Sequence, residues 1–340
     1  MQRLTVTGRL IITALIIAAI YFGFKYVGGV DLLKNLKAKT EQEPNKNSFG
    51  ESTPTEEEKR VPSQESATDE SKPGFSYQAP VPQGGKLKGV VELGASGFNS
   101  FIIRMDAEKN WKLEKAEFGN SLVMENMTTD DDVRAGLKKY IGTMLDYGVA
   151  GKDIHFVVSS GAIKADVTQK IIRALKSLNY FVNVVTPQEE GRLALRSVLP
   201  SEFYDSAFVV DIGSANTKIS WKDGNKTTAL ETYGSKYFQE GKEDTIVYDE
   251  AKAKAKQIPS NHRKRAFIIG GVPFDLAKTT RKGKERYTVL NAPDAYKIES
   301  AKVKSGINIY KAIADATGCD QFVFDWDANF TIGFLLEETK

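Results

Sequence analysis

A chain of 340 residues with a formal net charge of +3 is long enough for two domains or one large one, and its mixed charges make no demand for nucleic acid. One cysteine, Cys319, and two histidines, His155 and His262, exclude a disulfide framework and a Cys/His metal cluster. Any metal must therefore be a hard ion on oxygen ligands.

In chain order, the first feature is LIITALIIAAIYFGF, residues 10–24, uncharged and apolar between Arg9 and Lys25. Extended to Val30 with Lys25 snorkelling, it reaches the ~20 residues a bilayer needs. No small-x-small cleavage site follows, which separates it from a signal peptide. The expectation is a single-pass anchor over 1–30 in a bacterial inner (plasma) membrane. Lys25, Lys34, Lys37 and Lys39 lean the body slightly toward the cytoplasm, against Arg3 and Arg9 on the other side. Residues 31–85 are rich in Glu, Ser, Thr, Pro and Lys with few apolar side chains, so they read as a disordered tether.

Globular patterning returns at Lys86. KGVVELGASGFNSFIIRMD (88–106) reads as strand, turn, strand. TTDDDVRAGLKKYIGTMLDYGVAG (128–151) follows, with a Thr129/Asp132 capping box and a helical apolar stripe of Val133, Leu137, Ile141, Met144 and Leu145. A strand over 153–162, a helix over 166–180, then a strand, a turn at Pro187 and a helix complete the first half. SAFVVDIGSANTKISWKDG (206–224) repeats the opening pattern about 120 residues on, which points to two duplicated subdomains. A helix over 243–258, a strand breaking at Gly270-Gly271 into a helix, a helix over 305–318 stopped by Gly318, and a closing strand with an apolar segment follow. The alternation predicts an α/β fold with mixed sheets, with lobes over 86–200 and 201–340.

No Walker-type or Rossmann glycine loop is present. Two acids instead end apolar strands beside small-residue turns: Glu92 before Gly94, Ala95 and Ser96, and Asp211 before Gly213, Ser214 and Asn216. Gly270 and Gly271 make a third such turn. Backbone N–H groups in tight turns form anion nests, and the acids would suit Mg²⁺ held largely through water. Asp211 by itself reads as a turn cap, and the duplicated acid at Glu92 tips the reading toward a metal or phosphate role. By residue type, Glu190 is a solvated helix-start carboxylate favoured by the dipole. Taken singly, Lys164 and Lys218 are expected as surface charges; as a pair they would make a pocket more cationic. Trp221 and Trp326 read as core.

The order of these motifs over 86–340 resembles the exopolyphosphatase/guanosine pentaphosphate phosphatase family of the actin/sugar-kinase/chaperone ATPase superfamily. Glu92-Leu93-Gly94-Ala95-Ser96-Gly97 falls on its first phosphate turn and Asp211 to Lys218 on its second. Glu189-Glu190-Gly191-Arg192 falls on its catalytic segment, Ser159 to Lys164 on its helix-preceding segment, and Gly270-Gly271-Val272 on its Gly-Gly-Thr motif. Asp325 to Gly333 matches the closing segment loosely. The resemblance implies a duplicated actin-like/ribonuclease-H-like two-lobed domain with an interlobe cleft. There, water would attack a terminal phosphoryl group with Glu190 as base, Glu92 and Asp211 on Mg²⁺, and Lys164 on phosphate. Departures stand against turnover: Glu92 replaces Asp, Ala95 removes a hydroxyl, Ser214 replaces Gly, Lys218 replaces an acid, and Lys164 replaces the forked Arg. Three functions follow: a membrane-tethered phosphohydrolase on polyphosphate or guanosine polyphosphate; an inactive regulatory or assembly module of a membrane complex; and an actin-like filament protein. The partners expected are the membrane and a phosphate-containing ligand, with no nucleic acid; a homodimer or a membrane-complex partner is left open.

Overall fold

The computed structural model describes residues 74–95, 97–118, 129–163, 165–297 and 300–337. The expected anchor and most of the tether lie outside the described residues, as do Ser96 and Lys164. Among the described residues, no helix is long and apolar enough to cross a membrane.

Strict alternation makes the first hairpin. β1 (Lys86–Gly94) runs antiparallel to β2 (Gly97–Met105), from Lys86 opposite Met105 to Gly94 opposite Gly97. Val91 and Leu93 point to one face and Val90 to the other, so both faces are buried. β3 (Trp111–Phe118) extends the meander past a bulge at Ile102/Ile103. The helix α1 (Asp130–Asp146) starts at Thr129, whose hydroxyl accepts from Asp132 N while the Asp132 carboxylate accepts from Thr129 N. Val133, Leu137, Ile141 and Met144 are buried as expected, but Leu145 is 46% exposed. Helical spacing puts it about 100° round from Met144, off the buried stripe. β4 (Ile154–Val158), α2 (Asp166–Ser177) and β5 (Val182–Val184) add two parallel strands, for the order β3-β2-β1-β4-β5. Pro187 does not turn the chain before the next helix; it is the first residue of α3 (Pro187–Val198), where its missing N–H is no loss.

The second half repeats the plan. β6 (Ala207–Ile212), β7 (Asn216–Asp223) and β8 (Lys226–Tyr233) form an antiparallel meander. α4 (Asp244–Ala255), β9 (Arg265–Gly270), α5 (Gly271–Thr280) and β10 (Tyr287–Val289) follow. α6 (Ala301–Thr317), capped by Ser300 and begun four residues earlier than expected, leads into β11 (Phe322–Asp325) and α7 (Phe330–Glu337). The sheet order is β10-β11-β9-β6-β7-β8. Read from β8, it matches the first sheet strand for strand and adds β10 at the edge. The duplication expected from two short turns is present in the topology.

Packing makes layers. One face of the first sheet buries Val91, Ile102, Phe156 and Val158 against α1 and α2. The other face of that sheet and one face of the second share a core with α3 and α7, through Val90, Ile103, Leu193, Val209, Phe267 and Leu335. The outer face of the second sheet buries Phe208, Val210, Ile219 and Ile268 against α4 and α6. Each such fully buried side chain contributes roughly 1.5–3 kcal/mol relative to exposure. Residues at the end of the expected tether also join the body. The Phe75 ring lies 5.8, 5.6 and 5.3 Å from those of Phe203, Phe267 and Tyr287.

Candidate functional site

Parallel strands in α/β sheets present ligands at their carboxyl ends. Here a cleft of about 290 Å³ opens beside the ends of β1, β6 and β9. Glu92, Gly94, Ala95, Glu190, Asp211, Gly213, Ser214, Asn216, Gly270 and Gly271 all line it, together with Lys218, Lys302 and Asn329. The fold thus brings together every sequence-predicted site residue except Ser96 and Lys164, which lie outside the described residues.

Local chemistry explains how each is held. Of the acid pair opening α3, Glu189 closes a capping box: its Oε2 accepts from Thr186 N (2.8 Å) and Oγ1 (2.9 Å). Those backbone and hydroxyl donors hold its carboxyl below the usual glutamate range. Glu190, one position on, turns inward and is 3% exposed, so it is no solvated helix-start carboxylate. Its Oε1 accepts from the Lys218 ammonium. Its Oε2 accepts from Ser160 N (2.9 Å) and Ser160 Oγ (2.6 Å). Asn216 Nδ2 donates to Ser160 Oγ (3.0 Å) and to Glu231 Oε1 (2.6 Å), so its amide ties the turn to the first half.

Lys218 corrects an expectation. It is 2% exposed rather than a surface charge. On β7 it alternates with Thr217 and Ile219, so it faces α3 while they face away, and it sits opposite Asp211 in the β6–β7 register. Breaking such a buried pair by removing one partner costs about 3–5 kcal/mol, because the other charge is left uncompensated.

The two strand-end acids differ in their surroundings. Glu92 Oε2 accepts from Asn99 Nδ2 (2.9 Å) and Asn329 Nδ2 (3.1 Å). Burial raises its carboxyl to about 7, the amide bonds oppose that, and Glu190 and Asp211 reinforce it. Asp211 is raised to about 6 by burial, with Lys218 pulling it down and Glu190 pushing it up. A further acid at the cleft, Asp325, is held by the Arg286 fork through two bonds of 2.9 and 3.0 Å.

The turns are tightly built. Gly213 N donates to Asn216 O (3.1 Å), while Ser235 N and Lys236 N donate to the carbonyls of Gly213 and Ser214, each at 2.9 Å. Gly270 has φ +113°, and a Cβ there would fall 2.2 Å from Ile212 O, so only glycine fits where β9 passes into α5. The N-terminus of α5 at Gly271 opens on the cleft with the Lys302 ammonium beside it, 3.4 Å from where a Cβ would stand.

Sequence reasoning did not single out Ser160, Asn99, Asn329 or Lys302 by role. Asn329 carried a signal: its Oδ1 caps α7 by accepting from Thr331 N (2.8 Å), an Asn-x-Thr pattern ahead of an apolar run. Its bond to Glu92 spans 237 positions of sequence and carried none.

The acids that the resemblance offers to Mg²⁺ are Glu92 and Asp211. Glu92 Oε2 already takes two amide donors, and Asp211 faces an ammonium. Two unit charges 4 Å apart interact by about 4 kcal/mol in partly buried surroundings, and a divalent ion doubles the repulsion. Among the described residues, no group of three or more His, Cys, Asp or Glu side chains is arranged to hold a metal ion. It is the ammonium opposite Asp211 and the amide donors on Glu92 that do not fit a resident Mg²⁺.

Two sheets with the same strand order, helices between and outside them, and paired turns at one cleft define a two-lobed actin-like α/β protein. Within that class, the chain is similar to a solved exopolyphosphatase from Cytophaga hutchinsonii at 16% identity and TM-score 0.59, over 75% of this chain and 99% of that one. It is likewise similar to the Aquifex aeolicus PPX-GPPA enzyme (18% identity, TM-score 0.58, 74% and 99%). The type II variant of the Aquifex aeolicus Ppx/GppA phosphatase matches at 15% and 0.56, over 75% and 100%. No family model and no curated relative matches the sequence. At these identities the likeness concerns the fold.

Proposed function

We propose that this chain is a membrane-tethered protein that binds a phosphate-bearing ligand, a polyphosphate chain or a guanosine polyphosphate, in its interlobe cleft and does not hydrolyse it. The observation that carries the reading is the state of Glu190. A general base needs a lone pair within reach of the water it activates. Three of the roughly four lone-pair sites of the Glu190 carboxylate are instead taken, one by the buried Lys218 ammonium and two by donors of Ser160. Ligand binding is supported by the fold shared with Ppx/GppA phosphatases and by three small-residue turns at one cleft. The α5 N-terminus with Lys302 beside it adds a place for anionic oxygens. The anchor and tether read from the sequence would hold this body near a membrane, as a sensing or assembly component.

The test uses the full chain in detergent. Calorimetry with polyphosphate and with guanosine pentaphosphate is expected to show binding, while phosphate release stays at the level of the buffer with Mg²⁺ present. Release that disappears in Glu190→Gln would install the phosphohydrolase reading in its place.

A further inference from the structure

Lys218 does more than balance Glu190. Its stem leaves β7 beside Gly191 of α3, 3.4 Å from where a Cβ of that glycine would stand. Its ammonium lies 3.7 Å from the Cβ position of Gly213, at the foot of the β6–β7 turn. An ammonium carries three donors, and one is directed at Glu190. The group therefore sits between the acid of α3, the acid that ends β6 and the turn on which a phosphate would rest. That is where a divalent ion would have to stand to offset the same charges, and a compact point charge on a flexible stem is a recognised phosphate binder. Its enclosure is nearly complete: the side chains of Lys218 and Glu190 are 3% and 4% exposed. Salt and water screen it little there.

We propose that Lys218 is the resident counter-ion of the cleft, and that the cleft takes its phosphate-bearing ligand without a divalent metal. This rests on the ligand-binding reading above. The protein's own cation replaces an exchangeable one, so occupancy of the cleft follows the ligand alone and is indifferent to the supply of Mg²⁺.

Two measurements on the full chain separate this proposal from the reading beneath it. The first uses Mn²⁺ alone, followed by electron paramagnetic resonance. The wild-type protein is expected to hold no Mn²⁺ that Asp211→Asn releases, and Lys218→Glu is expected to gain at least roughly tenfold in Mn²⁺ affinity as a repelling charge becomes a ligand. A wild-type Mn²⁺ site that Asp211→Asn abolishes would overturn the proposal. The second uses inorganic tripolyphosphate in EDTA and in excess Mg²⁺. Affinity is expected to agree within about twofold between the two, and to fall roughly tenfold in Lys218→Gln under both. Binding that appears only with Mg²⁺ would overturn the proposal and leave the ligand-binding reading standing. Absence of tripolyphosphate binding under both conditions would remove that reading, and the Mn²⁺ measurement would still decide the role of Lys218. Should Lys218→Gln fail to fold, the pair Lys218→Gln with Glu190→Gln removes both charges and carries the same expectation for EDTA.

Discussion

The two halves of this molecule present the same turn at the same place in the same sheet order, and they neutralise its acid by different means. In the first half Glu92 is met by two side-chain amides, Asn99 from the facing strand and Asn329 from the cap of α7. Neutral donors offset its charge only in part, so burial pushes the carboxyl up to about 7. In the second half Asp211 faces an ammonium, which draws it back toward its ordinary range and leaves it near 6. Duplication preserves the frame because the frame is specified by apolar alternation and glycine turns. The charges at the turn are free to diverge as long as each half finds some partner for its acid.

The largest effect should come from the charged half. Lys218→Met leaves Glu190 buried without its counter-charge and is expected to cost about 3–5 kcal/mol in urea unfolding. Adding Glu190→Gln should recover most of that loss. Equal destabilisation in the single and double variants would show that packing, not charge, makes Lys218 matter.

The amide-held half should announce itself through pH. Glu92 and Asp211 both have folded-state values above their unfolded ones, so the folded protein binds the extra protons. Stability should therefore be highest near pH 4 and fall as pH rises through 6 to 7, by on the order of 1–3 kcal/mol. Glu92→Gln should flatten the upper part of that fall. A profile that rises with pH over this range would contradict the assignment.

Next in size are the turn glycines. A Cβ at Gly213 would fall 2.6 Å from Asn216 O, whereas at Gly94 the nearest atoms stand at 3.1 Å. Gly213→Ala is expected to cost about 2 kcal/mol and Gly94→Ala about 1 kcal/mol or less. The reverse order would mean that the second turn relaxes more readily than its hydrogen bonds to Ser235 and Lys236 suggest. An effect of similar small size belongs to Asn329→Ala, about 1 kcal/mol from the lost helix cap, read by thermal unfolding beside a further rise in the Glu92 carboxyl.

Much of the frame was legible in the residues. Alternation in 88–106 and 206–224 specified both hairpins, the Thr129/Asp132 pair placed the start of α1, and Gly270-Gly271 marked where β9 becomes α5, because period and backbone freedom are local properties. Leu145 and Pro187 were misread at the level of single positions: the first by one step around a helix, the second by one step along it. The acids of the cleft were also visible, since a carboxylate at the end of an apolar strand stands out from its neighbours.

Their state was not legible. Whether Glu190 is a free base or one end of a buried ion pair depends on a lysine 28 positions away and a serine 30 positions away. Whether Lys218 is a surface charge or an internal cation depends on which face of β7 meets α3. Sequence by itself determined the elements, their order and the repeated turn, because these follow from hydrophobic period and backbone stereochemistry. Tertiary structure alone decided the electrostatics of the cleft, because the energy of a charge is set by burial and by partners brought together across the two sheets.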